Sequence, residues 1–335
     1  MEKRIKDLAK EHADGTIDDY VEKERYVKVG KKDILVSDYE TLKEITAVYG
    51  STPEKEIAEK RVTIDDGRVV KYEIYAGGVK KIPDSISRLS DLDELCFRCD
   101  LEEFPEPILE LGYLRILEIY NNKITSIPDG IYKLENLKVL ELQNNKLEGL
   151  PQGLAKMKKL EKIVLSGNKI TKLPEGIGSV KTLKHFEMCH SGLSKVPEEL
   201  VGAKGLEKLY LQFNSITDVS GIESFENLKH LNLMENELES LPESISELKN
   251  LEEINITSNS LKTLPEGIWN LENLKKIEAA RNNIAKLPDS MDSFKGKLEI
   301  YENPLEFSDK KRIMEKLGER VVVYDPSWDN YDDYY

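Results

Sequence analysis

Residues 114–136 read LRILEIYNNKITSIPDGIYKLEN, and Leu114, Leu117, Ile119, Asn122, Ile124, Ile127 and Pro128 within them spell a phrase to which the chain returns eleven times between Val69 and Leu305. The first ten copies start at 69, 92, 114, 137, 160, 183, 206, 228, 251 and 274, a step of 23 residues with two steps of 22. Self-similarity at a fixed period of this length marks a solenoid, because one copy cannot bury its own apolar face and must stack on its neighbours. Arrays of this kind present surfaces far more often than they house active sites. The spacing therefore points to binding before any single residue is considered.

In the copy at 137 the apolar set is Leu137, Leu140, Leu142, Leu147 and Leu150, and Leu140 to Leu142 alternate as a short strand does. Stacked strands of this sort make one parallel sheet over a continuous core. Each Leu-Pro pair, such as Leu150-Pro151, opens a short segment on the convex side, where proline fixes the start. The series Asn122, Asn145, Asn168, Asn214, Asn236, Asn259, Asn282 and Asn303 marks the inward turn after each strand and reads as a hydrogen-bond ladder. Losing one rung leaves buried amides unpaired, at a cost of roughly 1–3 kcal/mol. Either Cys99 or Asp100 takes the rung in the copy at 92, and Ser191 takes it in the copy at 183. The copy at 206 reads Val219-Ser220-Gly221-Ile222, without its proline, so the convex side should change shape there.

A length of 335 residues ordinarily suggests two globular domains, but an array grows by adding units. The reading is a helical N-terminal region with a capping hairpin (1–68), the repeats (69–305), a helix-strand cap (306–324) and an acidic aromatic tail (325–335). Ser37 with Glu40 is expected to form a capping box, and Thr52-Pro53 to start a helix reaching about Lys60. Val62-Thr63-Ile64 and Val69-Val70-Lys71 flank the turn Asp65-Asp66-Gly67, so the first of these strands should pair antiparallel with the first repeat strand. Ser308 should precede a helix with Ile313, Met314 and Leu317 on one face and Gly318 as its stop, followed by a strand at Val321–Val323. The tail DPSWDNYDDYY is expected to be disordered, with docking by its rings as the other reading.

The net charge of −14 argues against a nucleic-acid partner. MEKRIKDLAKEHADG is amphipathic rather than signal-like, no stretch approaches a membrane span, and none of the three cysteines lies near an end. A cytoplasmic protein is expected. Cys96-Phe97-Arg98-Cys99 has C-x-x-C spacing but no second pair and no histidine near it in sequence, and no phosphate-cradling motif occurs, so no enzymatic activity and no cofactor are expected. His185, Glu187 and Cys189 alternate onto one face, with His230 two rungs away, about 10 Å by strand spacing. That is too far for one ion, and no metal site is assigned.

Strand alternation leaves the third, fifth, seventh and eighth positions of each copy on the concave surface. The fifth-position row runs Glu73, Cys96, Glu118, Glu141, Val164, Glu187, Tyr210, Asn232, Asn255, Glu278 and Glu299, acidic in its first half. Tyr210, Phe213 and Met234 point away from the core, and aromatic anchors are typical of interfaces. The expected contact residues are Glu118, Tyr120, Glu141, Tyr210, Phe213 and Met234, facing a partner with a basic surface.

The units NLKVLELQNNKLEGLPQGLAKMKKL and NLEEINITSNSLKTLPEGIWNLENL resemble the intracellular leucine-rich repeats of Ras-binding scaffolds, plant Ras-group-related proteins and their prokaryotic homologues. ITDVSGIESFENLKHLNL resembles the shorter phosphatase-regulator repeat, and NPLEFSDKKRIMEKLGERVVVYD a C-terminal cap of prokaryotic members. The resemblance covers residues 69–305 and implies an α/β solenoid, a leucine-rich-repeat horseshoe with a parallel concave sheet, capped at both ends. It further implies a non-enzymatic scaffold in signalling that binds a protein, a small GTPase or a phosphatase being the class of partner. Two other functions fit the sequence. One is a bacterial effector whose repeats target an activity in the N-terminal region. The other is a sensor of a peptide or small ligand, using Trp269 on the flank and the tail around Trp328, although Trp269 follows the inward Ile268 and would then shield a convex edge.

Overall fold

The structure of the protein, a computed structural model, describes residues 25–324; the opening stretch and the acidic aromatic tail lie outside the described residues. The chain divides into two compact units, Met1–Val139 and Leu140–Tyr335.

The first unit opens with a hairpin absent from the sequence reading, β1 (Tyr26–Val29) and β2 (Lys32–Leu35), antiparallel about Gly30, whose φ is +62°. Strand β2 runs straight into helix α1 (Val36–Ala47), and the expected capping box does not form. The turn into the helix is already made at Leu35, which leaves Ser37 inside the first turn with its hydroxyl on Asp38. Asp38 instead carries the structural role. It is fully buried, accepts the Val69 N–H at 2.9 Å and faces the Arg68 guanidinium at 3.2 Å. Helix α2 (Pro53–Ala58) starts as expected, with the Thr52 hydroxyl oxygen accepting from the Lys55 N–H, and ends two residues before Lys60, whose φ of +61° marks the exit.

Strands β3 (Val62–Asp65) and β4 (Arg68–Tyr75) pair antiparallel around the Asp-Gly turn, with Val62 opposite Tyr72. Strand β4 then pairs parallel with β5 (Glu94–Arg98), and β5 with β6 (Ile116–Ile119). Leu114, Leu117 and Ile119 are fully buried. Between strands the chain forms five-residue 3-10 turns, Asp84–Arg88, Glu106–Glu110 and Asp129–Lys133, each entered from a proline whose carbonyl accepts the N–H three residues on.

A further strand, β7 (Val139–Glu141), begins at the last residue of the first unit. In the second unit seven strands stack parallel: β8 (Lys162–Val164), β9 (His185–Glu187), β10 (Lys208–Tyr210), β11 (His230–Asn232), β12 (Glu253–Asn255), β13 (Lys276–Glu278) and β14 (Lys297–Glu299). Their register never slips, so Lys162, His185, Lys208, His230, Glu253, Lys276 and Lys297 stand in one row. The 3-10 turn of the copy at 206 is Ile222–Ser224, entered from the left-handed Gly221, with Val219 in the place of proline; the copy at 160 keeps Pro174 and forms the same short turn, Ile177–Ser179, from the left-handed Gly176, so the missing proline does not by itself give the change of shape expected there. Helix α3 (Phe307–Leu317) follows, entered from Glu306 without a side-chain cap. Ile313 and Leu317 are buried, but Met314 is 46% exposed, a correction to its expected inward face: it lies one residue past the inward stripe marked by Ile313 and Leu317, four residues apart. Gly318 ends the helix at φ +55°, and β15 (Val321–Val322) adds a last parallel strand beside β14.

The asparagine ladder is built as expected in most copies. Asn236 is representative: its Oδ1 accepts the Ile216 N–H at 2.9 Å, and its Nδ2 donates to the carbonyls of Leu211 and Leu233, both at 3.0 Å. One residue thus ties two adjacent copies. In the copy at 92 the task is split. The Cys99 thiol points inward and donates to the Ile74 carbonyl at 3.3 Å, while the Asp100 carboxylate accepts the Gly78 N–H at 2.7 Å. Ser191 does not make the rung expected of it. Its hydroxyl is too short to reach the preceding copy and donates to the Cys189 carbonyl of its own.

Candidate functional site

The solvent-facing side of the second unit's sheet is set by a backbone feature at the eighth position of each copy. To bring the following ladder residue inward the chain must turn left-handed there: Asn144, Gly167, His190, Phe213, Glu235, Ser258, Arg281 and Glu302 all have φ between +50° and +69°. Asparagine and glycine tolerate this conformation, whereas for other residues it costs roughly 1–2 kcal/mol. Phe213, at φ +59°, is the bulkiest side chain in the row and is 38% exposed, so no core packing offsets its strain. Its ring stacks on that of His190 at 4.4 Å and an interplanar angle of 7°. The sequence carries a signal for this row in the recurrence of Asn121, Asn144 and Gly167 at one place.

Tyr210, the last residue of β10, is half-buried, with the His185 ring edge-on at 5.1 Å. Burial, with the Glu253 and Glu187 carboxylates nearby, pushes its hydroxyl above the ordinary tyrosine value. Met234 is half-buried, and its N–H donates to Asn232 Oδ1 at 3.0 Å. Tyr210, Phe213 and Met234 thus occupy two adjacent copies, Tyr210 in register with Asn232. Lys208, exposed between His185 and His230 in its row, makes no ion pair within 4 Å among the described residues.

The acidic row is largely neutralised from within. Glu141 accepts from Lys162 at 2.6 Å and from Gln143 at 3.2 Å. Lys276 pairs with Glu278 and Glu299, and Lys297 with Glu299. Glu187 is held below the usual carboxylate value, first by His185, whose Nε2 lies 3.8 Å away, and by the Ser166 hydroxyl, which donates at 3.0 Å. His230 faces Glu253 at 3.3 Å rather than His185. Among the described residues no group of three metal-ligating side chains converges, and burial pushes the Cys189 thiol up to about 12, the opposite of what a thiolate ligand needs.

In the first unit Glu118 and Tyr120 belong to a separate group with Tyr75 and Cys96. Cys96 is buried on the open face, its sulfur 4.0 Å from the Tyr75 hydroxyl, and burial pushes its thiol up to about 12. Cys99 lies on the inner side in the ladder, so the C-x-x-C pair is divided between two faces. The Arg61 guanidinium sits 5.7 Å from the Tyr75 ring centre, and Lys71 bridges Glu73 and Glu94 at 3.0 and 3.1 Å. Trp269 supplies no aromatic surface: it is 2% exposed and packs edge-on against Phe294 at 5.7 Å. Trp328 lies outside the described residues. Among the described residues no helix is long and apolar enough to cross a membrane.

Three family models match the chain: a leucine-rich repeat region over residues 105–220, a leucine rich repeat over 226–284, and a two-copy leucine rich repeat over 204–246. No curated protein matches it. Among solved structures, the plant peptide hormone receptor RGFR1 in complex with RGF2 is similar at 28% identity and a TM-score of 0.55, over 67% of this chain and 39% of that one. An internalin (inlF) of Listeria monocytogenes shares the fold at 18% identity and a TM-score of 0.57, over 84% and 93%. The Arabidopsis receptor kinase HAESA, in complex with the peptide hormone IDA and the co-receptor SERK1, shares it at 23% and 0.64, over 80% and 54%. The chain therefore spans about two fifths of RGFR1 and about half of HAESA.

Proposed function

Because the chain is a leucine-rich-repeat protein, we propose that it is a non-enzymatic interaction scaffold that receives a partner protein on the open face of its sheet, centred in the second unit on Tyr210, Phe213 and Met234. The observation that carries this reading is Phe213, an exposed aromatic held in a backbone conformation that costs stability and gains no core packing. Glu141 lies three strands from Tyr210 in the same row, and Glu118 and Tyr120 offer a second patch in the first unit. A basic partner gains less from the acidic row than the bare sequence implies, since lysines of the same face already hold Glu141, Glu278 and Glu299. Apolar contact at the Tyr210 group then supplies most of the affinity. A small GTPase or a phosphatase is the first partner class to test, given the resemblance of the repeats. Three free, buried cysteines suit a reducing, cytoplasmic setting.

A peptide is the second reading, favoured by the similarity to RGFR1, whose structure holds the peptide hormone RGF2. Both readings are tested by passing lysate of the source organism over the full-length chain and over its Tyr210→Ala, Phe213→Ala double variant, then measuring affinity for each purified captured species. A protein bound at least ~30-fold more weakly by the variant supports the scaffold, a hot-spot loss of about 2 kcal/mol. Captured peptides with the same dependence favour the second reading. Equal affinity for both chains removes the Tyr210 group from the site.

A further inference from the structure

The ends of a stacked array need a polar outer face, because no further copy covers them. At the C-terminal end the described residues do not supply one. Helix α3 buries Asp309, Ile313 and Leu317 against the array, and on another side it shows Phe307 and Met314, which are 81% and 46% exposed. The two lie two turns apart on one face, with Lys310 and Lys311 between them. The Lys310 ammonium sits 5.8 Å from the centre of the Tyr324 ring, which is 60% exposed and extends the face. Apolar side chains exposed singly are ordinary, but three gathered on one terminal face call for a cover.

Charge says what that cover is. Helix α3 carries Lys310, Lys311, Arg312 and Lys316 against Asp309 and Glu315, so it is positive in a chain whose net charge is −14. Arg312 and Lys316 are held by Asp289, Asp309 and Asp292, and Lys311 has Glu315 at 3.9 Å. Lys310 makes no ion pair within 4 Å among the described residues. Residues 325–335, DPSWDNYDDYY, hold four aspartates, no basic residue and the rings of Trp328, Tyr331, Tyr334 and Tyr335. They follow directly on Tyr324, where the described chain reaches this face. A segment of that length spans up to about 40 Å when extended, against about 11 Å for two turns of helix, so reach does not limit it. We propose that this segment is the occupant, folding back in cis onto the face of Phe307, Met314 and Tyr324. Its rings cover the apolar side chains, and its aspartates turn toward Lys310 and Lys311. The dock stands apart from the open-face reading.

The full-length chain carries its own reporter. Of its two tryptophans, Trp269 is 2% exposed and Trp328 belongs to the segment. Acrylamide quenching of Trp328 fluorescence is measured after subtracting the Trp269 background of a Trp328→Phe variant, with a free peptide of residues 324–335 as the unprotected reference. Quenching in the chain should be several-fold weaker than in the peptide and independent of protein concentration. Phe307→Ser with Met314→Ser should raise it to the peptide's level, and since both residues are exposed the fold should survive the change. Asp329→Asn, Asp332→Asn and Asp333→Asn together, which leave every described residue unaltered, should also raise it, as should added salt. Quenching in the unmodified chain equal to that of the peptide overturns the proposal. So does protection that the serine pair leaves intact, which puts the segment elsewhere, and so does protection lost on dilution, which gives the face to a second copy. The Tyr210→Ala, Phe213→Ala variant should keep the protection whatever becomes of the open face; its loss there would move the dock to that face and overturn the proposal too.

Discussion

Phe213 illustrates how one residue can serve a surface at the expense of the fold. Asparagine stands at the same place in two other copies, Asn121 and Asn144, so Phe213→Asn should relieve the left-handed strain and raise unfolding stability by about 1 kcal/mol while weakening partner binding. Urea unfolding and an affinity measurement on the same variant check both halves; a variant that loses stability would show that the His190 stack outweighs the strain. Asn236→Ala acts in the other direction. It strips an acceptor from the Ile216 N–H and a donor from two carbonyls, and should cost about 2–3 kcal/mol by the shift of the urea midpoint. Asp38 adds a pH signature. Burial raises its carboxyl above the usual 3.8, against the opposing Val69 N–H and Arg68. The folded state then holds the proton more tightly than the unfolded chain. Stability from this group is full below pH 3.8 and is lost as pH rises through the folded value. Asp38→Asn, which keeps an oxygen for Val69, should flatten that slope and raise stability at neutral pH in urea titrations across the acid range.

At the scale of elements, what repeats was legible and what occurs once was not. The strands, proline-led turns and ladder could be read because many copies agree on one phrase, and the Asp-Gly hairpin because its turn chemistry is local. The roles of Ser37, Met314 and Ser191 differ from those their sequence places imply because each depends on a neighbour in space: a strand feeding directly into a helix, the rotation of a helix on its support, the reach of a side chain across copies. The open face was legible as a set of rows, but its lysine-carboxylate pairing and its left-handed column needed coordinates. One turn yields a sharp expectation. A Cβ on Gly178 would sit 2.7 to 2.9 Å from the carbonyl oxygens of Val201, Glu199 and Leu200, so adjacent convex turns approach too closely for a methyl group. Gly178→Ala should destabilise by about 1–3 kcal/mol, read as a lowered thermal midpoint, and an unchanged midpoint would mean the turns separate freely.

Over the whole molecule, stability is a sum of copies and their contacts with neighbours, so damage should stay local. The three buried thiols report this. Cys96 and Cys189 are pushed up to about 12 and Cys99 to about 11, so alkylation of the native chain at mildly alkaline pH should be negligible and should rise only with opening. In Asn236→Ala, labelling of Cys189 should accelerate more than labelling of Cys96, measured by mass spectrometry of timed digests; equal acceleration would mean that the chain opens as one. The left-handed column has a broader consequence. Because the ladder residue that follows dictates the backbone there, the side chain at each such place is nearly independent of folding, subject to a roughly constant penalty. His190, Phe213, Glu235, Ser258, Arg281 and Glu302 behave as interchangeable inserts in a fixed frame, so new specificities can be composed by altering that column alone while the frame keeps its geometry.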